Sequence, residues 1–179
     1  MLRLIKAFLF GITGLFIIIT LLSLLISGNV KVSRATVVNN VPVERLYQQT
    51  SNLKNWQNWH PMFKTGVASL HFGDISSGKN ATCDIVYNGK TTLLTITNVD
   101  SASITFVLQS QGENDIQNII SFTPVSAAND IRVEWQALTK LHWYPWEKFY
   151  AIFIDKLTGP GYDTALNSLK DFVEKNPSK

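Results

Sequence analysis

Few side chains in this sequence have the type and spacing that chemistry requires. The three histidines, His60, His71 and His142, form no His-x-x-x-His pair and have no cysteine or second histidine within a few residues. Protein zinc sites need three or four His, Cys or carboxylate ligands brought together, usually at short spacings. We therefore expect no metal site and no cofactor.

Cys83 is the only cysteine, which excludes an internal disulfide and any site built from several thiolates. A nucleophilic cysteine also needs a group nearby that activates the thiol, and the sequence offers no local candidate. Cys83 is therefore predicted to be a small buried apolar side chain.

Carboxylates are the remaining candidates for acid–base chemistry, and Asp84 and Glu134 both lie in predicted strands. If Asp84 faced an apolar cavity, the loss of water would raise its pKa and make it a general base; on the other face it would be a solvated surface residue. His60 and His142 could share such a role. The test is whether any of the four points into a cavity beside a second polar group. No Gly-x-Ser-x-Gly, phosphate loop or dinucleotide fingerprint occurs, so we assign no catalytic residue.

The elements that would hold these groups follow an uncharged run of twenty residues, 7–26, which begins at Ala7 and ends at Ile26. Fourteen of its positions are Leu, Ile or Phe. At about 1.5 Å per residue such a helix spans about 30 Å, the hydrocarbon thickness of a bilayer. We predict a transmembrane anchor over residues 1–27, a bilayer partner through residues 7–26, and one domain over residues 28–179.

A cleaved signal peptide is the alternative, because Arg3 and Lys6 form a short basic start. The apolar run exceeds the usual 7–15 residues of a signal peptide and no small-x-small cleavage site follows it, which favours the anchor. The numbers of basic residues just before and just after the run are nearly equal, so charge gives little information on orientation. The tail before the run is very short, and a tail of this kind normally stays in the cytoplasm. We expect a single-pass protein of a bacterial inner membrane, with its domain on the outer, periplasmic or extracellular side.

The charge of the predicted domain gives no sign of a nucleic-acid partner. Arg3 and Lys6 are the only basic residues before residue 28 and no acidic residue precedes it, which leaves 14 basic and 13 acidic residues in the domain. No basic stripe is visible, and nucleic-acid-binding domains usually carry one.

Alternating apolar and polar residues predict one strand near residues 30–38 and six more between about 65 and 138. Turn-forming residues separate the six, and Asn88-Gly89 is the clearest two-residue hairpin turn. Short connections of this kind are typical of an antiparallel sheet. A short helical region starts at Pro42 and ends near His60-Pro61.

After Pro145 the apolar period changes to three and four residues, which predicts a long amphipathic helix kinked or interrupted at Gly159-Pro160-Gly161. Its apolar face would cover the concave face of the sheet. The expected fold is α+β, with a curved antiparallel sheet of about seven strands around a long C-terminal helix, preceded by one transmembrane helix. The residues expected on the apolar face are Trp146, Phe149, Phe153, Leu157, Tyr162, Leu166, Leu169 and Val173.

Several short motifs in this order resemble the helix-grip, or START-like, superfamily, in particular its polyketide cyclase/dehydrase and lipid-transport branch. The motifs are Val-x-Arg-x-x-Val from Val32, the helix start at Pro42, Leu-x-x-Trp-x-x-Trp-x-Pro from Leu53, Lys-Leu-x-Gly-Pro from Lys156, and Leu-x-x-Leu-Lys from Leu166. The resemblance covers about residues 30–175. It implies a protein that binds a lipid, hormone or polyketide, since only a minority of such proteins catalyse cyclisation.

We therefore expect an apolar ligand (a lipid, isoprenoid or polyketide-like molecule) in a cavity between the sheet and the C-terminal helix. The two tryptophan-rich segments could instead simply pack the core. A cyclase- or dehydratase-like enzyme is one alternative, and a ligand-free interaction module is another, which a cavity below about 300 Å³ would favour. The candidates for lining the cavity are Trp56, Trp59, Phe63, Phe106, Trp135, Trp146, Phe149 and Phe153.

Overall fold

The computed structural model describes residues 2–125 and 130–176, and the chain begins with the helix α1, Leu2–Ser23. Within it, Arg3–Ser23 is long and apolar enough to cross a membrane, and a signal sequence would have the same properties. The rest of the protein buries almost none of this helix. The helix ends three residues before Ile26, because residues 24–26 form a tighter turn whose amides bond to carbonyls three residues back.

Seven strands form one antiparallel sheet in the order β1-β7-β6-β5-β4-β3-β2. The predicted hairpin turn is confirmed: Asn88 and Gly89 both have positive φ, 49° and 75°, as this turn requires. A register shift between Ile96 and Asn98 interrupts the pairing of β4 with β5. The strands are β1 Asn29–Val38, β2 Ser69–Phe72, β3 Thr82–Tyr87, β4 Lys90–Val99, β5 Ser103–Ser110, β6 Ile116–Pro124 and β7 Ile131–Lys140.

The inner face of the sheet follows the period of two seen in the sequence. On β7, Ile131, Val133, Trp135 and Ala137 are buried, whereas Arg132 between the first two is exposed. The fold is therefore the predicted α+β arrangement, a curved antiparallel sheet with a long C-terminal helix.

Two helical regions complete the fold. The first comprises α2 (Val43–Ser51), a 3-10 turn (Leu53–Asn55), α3 (Trp56–Trp59) and a second 3-10 turn (Pro61–Phe63). The second comprises α4 (Pro145–Ala151) and α5 (Ile154–Lys175).

A kink or an interruption was predicted at residues 159–161, and the interruption is wrong, because α5 runs through Pro160 without a break. Proline removes one backbone donor and frees the carbonyl four residues earlier, that of Lys156. Pro160 and Lys156 are both exposed, so water can satisfy that carbonyl. The break lies instead at Ile152 and Phe153, whose amides bond to carbonyls three residues back and close α4 with a tight turn.

The two parts of this helical region have different surroundings. In the second half of α5, Ala165, Leu166, Leu169 and Val173 are buried in the core. The expectation that Trp146, Phe149, Phe153 and Leu157 continue this buried face is wrong, since these side chains are exposed. Helix α4 packs beside α1, and α3 contacts α5 at the inner side of the sheet. Residues 56–63 therefore cover the part of the sheet that Trp146, Phe149, Phe153 and Leu157 were expected to cover.

Candidate ligand pocket

Residues 56–63 are shaped by side chains that cap two short helical turns. The Oδ1 atom of Asn52 accepts the amide of Lys54 at 3.0 Å, and Nδ1 of His60 accepts the amide of Met62 at 3.2 Å. Pro61 follows His60 and keeps it extended, which ends α3. The segment therefore reverses direction within a few residues and presents its aromatic rings to the sheet.

These rings form one buried cluster around Trp56. Its ring centroid lies 5.2 Å from those of Trp59, Phe63 and Phe106, and 6.2 Å from that of Trp135. Tilted and edge-to-face contacts at such distances add to the stabilisation from apolar burial.

Each indole of the cluster has its N–H satisfied. The Trp56 and Trp59 nitrogens donate to the carbonyls of Thr50 and Gln49 at 2.8 and 3.1 Å. Trp135 donates to Oδ1 of the buried Asn118 at 3.0 Å. These bonds fix the ring orientations, because a buried donor without a partner is costly.

A pocket of about 240 Å³ lies between this cluster and the inner face of β3, β4, β5 and β7. It is open on one side, where the exposed Tyr87 and Lys90 stand beside the β3–β4 hairpin turn. It was expected between the sheet and the C-terminal helix, but residues 56–63 form that wall instead. The lining residues are Trp56, His60, Met62, Phe63, Ile85, Tyr87, Lys90, Thr92, Leu94, Phe106, Leu108 and Trp135.

His60 is the ionisable group held within the aromatic part of the lining. Its ring stacks on Trp56, with centroids 5.3 Å apart and planes 26° from parallel. Burial disfavours the imidazolium and lowers the pKa of His60 to about 3. The imidazole is therefore neutral at physiological pH.

The open side of the pocket carries charge. Lys90 is paired with Glu113 of the β5–β6 turn, and both side chains are about half exposed. Behind them, the hydroxyls of Thr92 and Ser110 lie 2.6 Å apart across β4 and β5. An apolar interior thus meets water at a rim with one cation and one anion.

The structure brings together only part of the predicted set. Trp56, Phe63, Phe106 and Trp135 line the pocket, and Trp59 is buried against Trp56 behind the lining. Trp146, Phe149 and Phe153 lie outside it.

Sequence reasoning missed the contribution of β3 and β4 to the pocket. The Asn88-Gly89 turn fixes the register that pairs Ile85 with Thr92 and Tyr87 with Lys90 on one face. The hairpin signal together with the period of two could have placed these residues there.

Of the four acid–base candidates, only His60 lines the pocket. Asp84 directly precedes Ile85 in β3, and successive side chains of a strand point to opposite faces. Asp84 is therefore on the outer face of the sheet, away from the pocket. Glu134 is on the outer face of β7, where the hydroxyl of Ser33 donates to it at 2.6 Å and lowers the pKa of the carboxyl. His142 is exposed outside the pocket, beside Glu147.

Cys83 is buried as predicted, and burial raises the pKa of its thiol to about 11. A thiol of this kind is protonated at neutral pH and a poor nucleophile. Within residues 2–125 and 130–176, no three His, Cys, Asp or Glu side chains are grouped so that they could hold a metal ion.

Comparison with solved structures identifies the fold, whereas the sequence comparisons find no match. The sequence matches no protein-family model and no curated protein. Norcoclaurine synthase from Thalictrum flavum, solved as a point mutant with a transition-state analogue, is 12% identical, with a TM-score of 0.65 over 84% of this chain and 97% of that one. A protein from Nitrosospira multiformis is 19% identical, with a TM-score of 0.60 over 83% of this chain and 99% of that one. A protein from Thermobifida fusca is 15% identical, with a TM-score of 0.60 over 78% and 90%. The chain therefore has the helix-grip fold.

Proposed function

We propose that this protein is a membrane-anchored START-like domain that binds a small apolar molecule, or the apolar end of a longer one, in the pocket under residues 56–63. The observation that carries the proposal is the lining itself. Aromatic and aliphatic side chains from four strands and one covering segment surround a half-open space, and few polar groups interrupt them. Ligand sites for apolar molecules have this composition.

The volume limits the ligand. About 240 Å³ is just below the range of roughly 300–1,000 Å³ that is typical of sites enclosing drug-sized molecules. A single aromatic ring system, an isoprenoid unit or the end of an acyl chain suits this space, with any remainder leaving through the open side. The same small volume favours the ligand-free interaction module, so the experiment must separate the two.

Two polar groups favour a ligand with one polar end. Since Nδ1 of His60 accepts a backbone amide, the proton of the neutral ring is assigned to Nε2, which is then a donor. Within the described part of the chain, Nε2 has no hydrogen-bond partner. Lys90 at the rim adds a cation that suits a carboxylate or another anionic head group.

The lining favours binding over acid–base catalysis. General acid–base chemistry needs a proton donor or acceptor with its pKa near the working pH. The pKa of His60 lies far below that range, and Asp84, Glu134 and His142 lie elsewhere.

The anchor completes the proposal. Helix α1 has the length and apolar composition of a membrane span, and its exposed Leu, Ile and Phe side chains need a nonaqueous environment. An apolar ligand is scarce in water and concentrated in a bilayer, so a tether keeps the pocket beside its source.

The test is a pair of substitutions at adjacent positions of β3. Ile85→Trp fills the pocket, whereas Val86→Trp places the same ring on the opposite face of the same strand. The background carries Trp143→Phe and Trp146→Phe, which leaves three buried tryptophans, two of them in the pocket lining. Detergent-extracted full-length protein is titrated with 11-bromoundecanoic acid, whose bromine quenches indole fluorescence on contact.

Saturable quenching in the background protein and in Val86→Trp, with its loss in Ile85→Trp, is the expected result. Native mass spectrometry of the same samples should show a bound molecule in the first two and none in the third. Absence of both quenching and a bound molecule in the background protein would show that the domain is a ligand-free module. Thermal unfolding of each variant checks that the comparison is made between folded proteins.

A further inference from the structure

A group of large apolar side chains lies exposed on α4, on the residues directly before and after it, and at the start of α5. We call it the α4 surface and define it as Trp143, Trp146, Tyr150, Ile152, Phe153 and Leu157. Each is between 54% and 63% exposed, although most large apolar residues of the sheet domain are buried. A concentrated apolar patch of this kind on a soluble domain marks an interaction site.

The α4 surface is continuous with the end of α1. The two helices pack together, and Ser23 near the end of α1 is fully buried. The Nζ atom of Lys148 on α4 donates to the carbonyl of Ile26 at 2.9 Å, and the amide of Leu141 donates to the carbonyl of Gly28 at 2.8 Å. The chain is thus held against α4 at the point where it leaves α1.

The composition of the α4 surface suits the boundary of a bilayer. Tryptophan and tyrosine are enriched at the level of lipid head groups, where an apolar ring and a polar N–H or O–H are both satisfied. Tyr144 lies under Trp146 with ring planes 7° from parallel, which holds that indole in place.

The charges around the α4 surface suit the same boundary. Glu147 contacts His142, and Asp155 and Asp163 both pair with Arg34, whereas the exposed Lys156 has no ion pair among the described residues. Lys156 is therefore a cation beside the apolar side chains that can meet the negative phosphate of a lipid head group.

We infer that the α4 surface lies in the head-group region of the bilayer that α1 crosses, and that this contact turns the open side of the pocket toward the lipid. The inference rests on the proposed anchor. It adds an orientation to that anchor, because the α4 surface contacts the membrane. The domain is therefore held in a fixed orientation and does not move freely about the residues that follow α1.

The position of the pocket follows from a chain of contacts. Lys90 at the open side pairs with Glu113 of the β5–β6 turn, and the neighbouring Asn114 donates to Oε2 of Glu147 on α4 at 3.2 Å. The open side and α4 are therefore at the same end of the sheet. An exposed ion pair is weak and opens readily, so Lys90 and Glu113 can part when a ligand passes from the lipid.

The test uses the full chain in nanodiscs of phosphatidylcholine and phosphatidylglycerol that hold a single copy. A nitroxide label is placed at Phe153→Cys or Leu157→Cys on the α4 surface, or at Ser101→Cys as the control. Ser101 lies in the β4–β5 turn, at the end of those strands opposite Lys90 and Glu113. Cys83 is buried and keeps its thiol protonated, so the label goes to the introduced cysteine.

Collision of each label with oxygen, which concentrates in lipid, and with a water-soluble nickel chelate is measured by electron paramagnetic resonance. The expected result is a several-fold higher ratio of oxygen to nickel collisions at positions 153 and 157 than at 101. Equal ratios at all three positions, in protein that floats with vesicles after carbonate washing, would overturn the inference and leave the anchor standing.

Release of the full chain from vesicles by carbonate would overturn the anchor and the inference together. The pocket is tested separately by the bromoundecanoic acid titration in detergent, so failure there does not depend on either outcome. Using one copy per nanodisc ensures that protection of the label comes from lipid and not from a second chain.

Discussion

Two short segments of this protein have nearly the same composition and opposite surroundings. Residues 56–61 read Trp-Gln-Asn-Trp-His-Pro, and residues 142–146 read His-Trp-Tyr-Pro-Trp. In the first, both tryptophans are buried and bonded through their N–H groups. In the second, both tryptophans are 63% exposed. Composition marks each segment as one that needs an apolar partner, but it does not tell which partner.

The neighbours of each segment decide the difference. The first follows α2, whose last carbonyls accept both indole N–H groups and turn the rings toward the concave sheet. The second follows the outermost residues of β7 and packs beside α1. The inner face is already covered, so the second set of rings stays outside.

Substituting alanine for one tryptophan of each segment should give the largest difference. Trp56→Ala removes the centre of the buried cluster and leaves the carbonyl of Thr50 without its donor, so we expect a loss of about 3–5 kcal/mol in the free energy of unfolding. Trp146→Ala removes an exposed ring and should change it by less than about 0.5 kcal/mol. Urea unfolding in detergent, followed by circular dichroism in the strand region, measures both.

The same pair also checks where the rings lie. If the two substitutions cost the same, then α4 is packed in the core and the contrast between the segments is lost. Trp59→Ala serves as a second buried position, since Trp59 also donates to a carbonyl of α2.

The buried histidine of the first segment, His60, should make the stability of the protein depend on pH. The pKa of His60 is lowered from 6.5 to about 3, so between these values the unfolded chain binds a proton that the folded protein does not. The free energy of unfolding therefore has its full value above pH 6.5 and decreases as the pH falls from 6.5 toward 3. From pH 8 to pH 5 the loss is about 2 kcal/mol, measured by urea unfolding at each pH.

His60→Asn should remove this loss, because asparagine keeps an oxygen to accept the amide of Met62 but does not titrate. His142→Asn, in the exposed segment, is the matched control and should keep the loss of the parent protein. A His60→Asn variant with the same pH dependence as the parent would show that His60 is hydrated in the folded state.

Local patterns predicted most of this fold. The apolar run gave α1, alternation gave all seven strands within a few residues, and Asn88-Gly89 gave the β3–β4 register. Each of these signals is contained in a short stretch and is decided by backbone geometry or by one buried face. The break at Ile152 and Phe153 was not predictable in this way, because those residues carry no helix-breaking side chain.

The candidate site was predictable only in part, for a physical reason. Trp56, Phe63, Phe106 and Trp135 are large aromatic residues that any apolar interior would gather. The exposed position of Trp146 and Phe153 depends on competition between two segments for one sheet face, which no single stretch reveals. His60 and Lys90 come together only when the short helical turns fold back over the β3–β4 hairpin.

Gly159 marks the boundary between the exposed and buried parts of the C-terminal region, and its substitution should have a smaller effect than that of Trp56. It is the first buried residue of α5, and a β-carbon there would meet the guanidinium of Arg34. Arg34 bonds to Asp155 at 2.8 Å and to Asp163 at 3.1 Å, which fastens this part of α5 to β1. In an ordinary helix, glycine to alanine stabilises by about 0.8–1 kcal/mol.

We expect Gly159→Ala to give less than this gain, or a loss, because the added methyl displaces Arg34 from its two carboxylates. In an Arg34→Ala background the methyl no longer meets the guanidinium, so Gly159→Ala should be less unfavourable there than in the parent. The full gain of an ordinary helix position is not expected in either background, because Pro160 follows and disfavours a β-carbon on a helical residue before it. Urea unfolding of the four proteins forms a double-mutant cycle that isolates the contact between the two positions. Exposed Gly161 is the control, because nothing lies near its β-carbon position, and Gly161→Ala should stabilise equally in both backgrounds. Equal effects of Gly159→Ala in both backgrounds would show that Arg34 does not pack closely against Gly159. This contact would then not determine where the side chains of α5 change from exposed to buried.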